Sequence, residues 1–153
     1  MISDDQAEEE MYDVLLAAIN DPLTGAELLL GYIPDVVFPG IEITNKSNHE
    51  KFWLRPSVQI VEQPQSTLNG GINGSGVRFT TSGLFFCQVF CPKKDNKGAT
   101  DGKKLSIIIR NKFRTAVTPG KIWFRNPTIK SLDDEAHFHR FNVVAEYQYD
   151  EKV

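Results

Sequence analysis

The 153-residue chain has only two cysteines and three histidines, and no apolar run near the roughly 20 residues that a membrane helix needs. Two cysteines cannot staple a domain of this size, which excludes a disulfide framework. Cys87 and Cys91 lie four apart in a segment that reads as a strand, where a rise of roughly 3.3 Å per residue sets their Cα atoms about 13 Å apart. No bond can join them, and the expectation is two buried, reduced thiols acting as small apolar side chains. The start, Met1-Ile2-Ser3-Asp4-Asp5, is acidic where a secretory signal is basic and then apolar, so the expected setting is a cytosol-like compartment without a membrane partner. Low complexity is absent too. With 41% hydrophobic and 10% aromatic residues the chain can build a real core, which excludes disordered and collagen-like classes.

Positive charge is missing from one stretch altogether. Residues 1–45 hold ten acids and no Lys or Arg, whereas the remaining 108 hold ten acids and all 17 basic residues, so a net charge of −3 divides into −10 and +7. Such a division suggests an acidic surface and a basic surface that meet between copies of the protein. The alternatives are an acidic helix packed near basic loops of the same chain, or two solvated faces.

What is present reads as one α+β domain over 1–153: an acidic helical region, 1–35, followed by a core, 36–150. Ser3 and Gln6 fit a capping box, and Ala7, Met11, Val14, Leu15, Ala18 and Ile19 recur at helical spacing up to Asp21-Pro22. A short helical piece over Gly25–Leu30 and an extended apolar segment over 36–43 come next. Residues 52–62 alternate, with Leu54, Val58 and Ile60 on the buried side and Pro56 marking an edge position or a bulge. The loop 63–76 is long and ends in a glycine-rich tract. Residues 77–91 are apolar on both faces, with Phe79, Phe85, Cys87 and Val89 on one and Leu84, Phe86 and Phe90 on the other, the signature of a central strand or of one lying against a partner. A helix capped by Thr100 or Asp101 buries Leu105, Ile108, Ile109 and Phe113. A final antiparallel pair follows, its last strand placing Phe141, Val143, Ala145, Tyr147 and Tyr149 on one side. The resulting picture is a mainly antiparallel sheet with two main helices on one face.

Chemistry-bearing patterns are few. The glycine tract lacks Gly-Lys-Ser/Thr and opens into a strand rather than a helix, so it reads as a loop tip and not a phosphate cradle. His137 and His139 share a strand side, but the remaining histidine, His49, is far off in sequence and a metal needs a third ligand. No nucleophile elbow, Cys–His pair or carboxylate pair in an apolar setting stands out, so no enzyme, cofactor or metal is expected. Residues 93–125 carry ten basic side chains against two acids, a local +8 that allows a nucleic-acid-binding module as an alternative of another class.

The string Phe52-Trp53-Leu54-Arg55-Pro56-Ser57-Val58, the loop Thr67-Leu68-Asn69-Gly70-Gly71, and the strand Gly83–Pro92 with Gly98 after it resemble the tail terminator family of long-tailed bacteriophages and prophages. So do the amphipathic helix ending near Phe113 and the final strand pair, and the resemblance covers about residues 36–150. The long acidic N-terminal region and the histidine pair depart from the pattern. The resemblance implies an α+β subunit that forms a ring, hexameric by expectation. That ring caps the tail tube, stops its polymerisation and joins the tail to a head–tail connector or neck protein, with DNA only passing through. It places the protein in the virion tail or neck, after assembly in the host cytoplasm. A neck adaptor or a tube subunit is the nearest alternative. The residues expected at subunit or tube contacts are Asp4, Asp5, Glu8 and Glu9 on the acidic helix, Leu68 and Ile72 on the long loop, and Lys93, Lys94 and Lys97 in the basic turn.

Overall fold

A computed structural model describes residues 2–40, 50–65 and 78–152. The first helix, α1, runs Asp4–Asn20 and buries the six residues its periodicity predicts, Ala7, Met11, Val14, Leu15, Ala18 and Ile19. The predicted capping box forms between Ser3 and Gln6, the Ser3 N–H donating to Gln6 Oε1 at 3.4 Å. The Ser3 hydroxyl also bonds to Asp5 and holds its carboxyl below the usual range. Helix α2 follows at Ala26–Leu30 and stops at Gly31, which adopts a left-handed φ of 82°.

Five strands form one sheet in the order β1-β2-β3-β5-β4: β1 Asp35–Val36, β2 Trp53–Glu62, β3 Arg78–Pro92, β4 Trp123–Leu132 and β5 Phe138–Lys152. β1 pairs parallel to β2, and every other ladder is antiparallel. β3 is central, as its double apolar pattern requires. β1 reaches only Trp53 and Leu54, so Pro56 lies where β2 has an open rim and its missing N–H leaves no partner unmatched. The ladder then shifts between Ile60 and Glu62, which leaves Ile60 half-exposed against its predicted inward position. The first strand of the predicted final pair, β4, is interrupted by a bulge between Arg125 and Thr128, where Asn126 takes φ 49°.

Helix α3, Gly98–Thr115, starts before the predicted cap. Asp95 makes the turn, its Oδ1 accepting from Lys97 N–H at 2.9 Å and its carbonyl from Gly98 N–H at 3.0 Å, so Thr100 and Asp101 are not needed. Ile108, predicted to be buried, is only half-buried, because Gly102 and Ser106 occupy the sheet-facing stripe. A Cβ on Gly102 would collide with Cys91 Sγ, so this glycine sets how closely α3 lies on the sheet. The Ser106 hydroxyl donates to the Gly102 carbonyl at 2.8 Å and is thereby satisfied inside the core.

Both main helices cover the face of the sheet built from odd-numbered residues of β3 and β5. Phe85 lies against Phe113 of α3 at 4.7 Å and Tyr12 of α1 at 6.3 Å between ring centroids. Cys87, Val89, Val143 and Ala145 are fully enclosed in the same cluster. The acidic N-terminal region is therefore part of the core as well as the carrier of the expected contact residues. At roughly 1.5–3 kcal/mol for each large apolar side chain removed from water, Met11, Val14, Leu15 and Ile19 alone make α1 indispensable to the monomer. Among the described residues no helix is long and apolar enough to cross a membrane.

Candidate assembly surfaces

The structure separates the two groups of charged residues singled out by sequence. Asp4 lies at the end of the sheet where β3 begins: it accepts from the Tyr149 hydroxyl at 2.5 Å and from Gln63 Nε2 at 3.0 Å. Those bonds tie Asp4 to its own chain. Burial, together with that bond, pushes the Tyr149 hydroxyl pKa up, and burial with the charges of Glu8 and Asp4 pushes Tyr147 up to about 12. Asp5, Glu8 and Glu9 remain exposed on the outer side of α1. Burial, then the charge of Asp4, raises the Glu151 carboxyl, the electrostatic mark of a crowded acidic corner.

Lys93, Lys94 and Lys97 stand at the opposite end, beyond Pro92. Eleven steps of β3, from Thr81 beside Gln63 to Pro92, span about 36 Å between these two ends of the sheet. Lys93 faces Asp134 at 3.6 Å and Lys94 faces Glu50 at 3.8 Å, so part of this basic turn is matched locally. Lys97 is exposed at the N-cap of α3. Leu68 and Ile72 lie outside the described residues, as do His49, the glycine tract and the segment 41–43.

Among the described residues no ion pair joins an acid of residues 2–40 to a Lys or Arg. α1 carries Asp4, Asp5, Glu8, Glu9, Glu10 and Asp13 without a cation, while the adjacent α3 carries Lys103, Lys104, Arg110, Lys112 and Arg114 with Asp101 as its acid. The two helices pack side by side; Asp5, Glu8 and Glu9 of α1 are exposed, whereas Asp4 bonds to Tyr149 and Glu10 accepts from the Gly120 N–H.

Burial raises both thiols, Cys91 to about 12 and Cys87 further, so neither forms the thiolate that a nucleophile or metal ligand must be. His139 Nδ1 lies 3.1 Å from Asp134 Oδ2 at an exposed position. Among the described residues no three His, Cys, Asp or Glu side chains are grouped to hold a metal.

The surface that sequence reading did not resolve is the second face of the sheet. Its residues align in rows across four strands: Trp53–Phe90–Arg140–Leu132, Arg55–Gln88–Asn142–Lys130, Ser57–Phe86–Val144–Thr128 and Gln59–Leu84–Glu146–Arg125. Trp123 lies beyond, opposite Gln148, and is 59% exposed under the Arg125 guanidinium. Trp53 stacks on Phe90 with centroids 3.8 Å apart, Phe138 meets both rings edge-on, and Arg55 lies over the pair. Leu84, Phe86 and Val144 are half-buried, with no helix over them among the described residues. The available signal was the apolar run on even-numbered positions of β3; its neighbours depend on long-range register.

No family model matches the chain. No curated protein matches it either. Solved structures do match: one of them, whose name states no activity or partner, aligns over 90% of this chain and 94% of its own length with a TM-score of 0.52 and 15% identity. At that identity the likeness shows the fold alone.

Proposed function

We propose that this chain is a structural subunit of a phage-type tail terminator, assembling with copies of itself into a ring that caps the tail tube, stops its growth and joins the tail to the head. The observation that carries this reading is the unmatched charge. An acidic helix flank and a basic helix flank, joined by no ion pair among the described residues, are complementary surfaces for a head-to-tail contact that closes by rotation. A sheet whose half-apolar second face carries no helix among the described residues also suits a subunit that buries surface against neighbours. The α+β fold is compatible with the family resemblance.

The test is deletion of the coding sequence from the phage or prophage that carries it, with particles imaged by electron microscopy. Overgrown tails detached from filled heads are the expected result. Tails of normal length joined to heads would overturn the reading, and absence of any tube would move the protein to the role of tube subunit.

A further inference from the structure

The uncovered sheet face has a complement elsewhere on the same chain. Between α1 and β2, Leu23 is 81%, Leu28 69% and Ile33 44% exposed, all within eleven residues. Residues 21–35 hold three acids, Asp21, Glu27 and Asp35, and no Lys or Arg. The sheet face has the opposite rim. Leu84, Phe86 and Val144 form its apolar floor, Arg55, Lys130 and Arg125 stand exposed around them, and the acid of that floor, Glu146, already accepts from Asn126 Nδ2 at 2.9 Å.

We propose that the segment 22–35 of one copy docks on the open sheet face of the next, its leucines against Phe86 and Leu84 and its acids against the arginines and lysine of the rim. The proposal deepens the ring reading and rests on it. α2 packs with α1 and α3 on the helix side of the sheet, so segment and face lie on opposite sides of one molecule. A chain cannot satisfy itself in this way, and the contact is necessarily heterologous: it closes into a ring or propagates. A stacked nucleic-acid base is the weaker occupant, because the Trp53 ring already stacks on Phe90 and carries Arg55.

Sedimentation velocity on the full chain tests the docking. Leu28→Asp removes the segment, and Phe86→Asp removes the face. Arg55→Glu, at an exposed site, is the second face variant should Phe86→Asp disturb the fold, which circular dichroism reports. Each variant alone is expected as a monomer at concentrations where the parent chain assembles. An equimolar mixture is expected to give a 1:1 dimer and nothing larger, since one intact segment and one intact face remain. Both tryptophans of the chain, Trp53 and Trp123, lie on the face, so mixing is also expected to shift the emission to shorter wavelength. A mixture that stays monomeric while the parent chain forms rings refutes the docking and leaves the ring reading standing. Assembly undisturbed in the variants refutes it as well. A parent chain that remains monomeric at every concentration removes both, whereas a labelled oligonucleotide that binds the parent face and fails to bind Phe86→Asp refutes the docking alone.

Discussion

Phe85 and Phe86 are consecutive residues of one central strand, and their surroundings could hardly differ more. Phe85 is wholly enclosed by Tyr12 and Phe113 from the two main helices, whereas Phe86 sits half-exposed in a row with Ser57, Val144 and Thr128. Both faces of β3 are apolar, but among the described residues helices cover one of them. Folding explains the first face. The second asks for a partner, since monomeric proteins seldom leave a contiguous apolar patch uncovered without a use for it.

The largest expected effect sharpens that contrast directly. Phe85→Ala should cost about 3–5 kcal/mol in chemical denaturation of the monomer, while Phe86→Ala should stay within ~1 kcal/mol and instead weaken assembly. Equal losses for the two would erase the distinction between a folding face and an assembly face. Gly102→Val comes next, at about 1–3 kcal/mol, because its side chain would push Cys91 and lift α3 from the covered face. Cys87→Ala should cost about 1–2 kcal/mol by loss of packing. In the native protein both thiols should resist iodoacetamide and become reactive on unfolding; rapid native labelling would contradict their enclosure.

The smallest effect lies at the sheet end, where both faces meet solvent. The Arg78 guanidinium bonds to Asp150 and holds its carboxyl below the usual range, helped by the Thr80 hydroxyl at 2.9 Å. The folded state thus binds fewer protons there than the unfolded chain, so the stability is present at neutral pH and lost as pH falls below about 4. Asp150→Asn should remove that portion of the acid dependence, under ~1 kcal/mol for so exposed a pair, as read from denaturation midpoints between pH 7 and pH 3.

Much of the covered face was legible in the sequence. The stripe of α1 follows from apolar residues at three- and four-residue spacing, and the central place of β3 follows from its two apolar faces. The start of α3 was missed because the Asp95 turn leads into the helix at Gly98, ahead of the more familiar Thr and Asp cap signals. Ile108 was misassigned because Gly102 and Ser106 rank low in hydrophobicity yet are what close helix–sheet packing selects. The open face was illegible for another reason: its rows join residues as distant as Trp53, Phe90 and Arg140, and register of that range comes from tertiary pairing. The charged contact residues were chosen by composition, which cannot tell Asp4, bonded to Tyr149, from Asp5 and Glu9, which point to solvent.

The central claim is that the uncovered face and the unmatched charge exist for contact between copies. The most direct test is the molar mass and shape of the purified full chain, by light scattering and negative-stain microscopy, over a range of salt. The account predicts a single closed ring of fixed subunit number that loosens as salt screens its charged rims. A monomer at all concentrations and salt levels, or tubes that lengthen without limit, would contradict it.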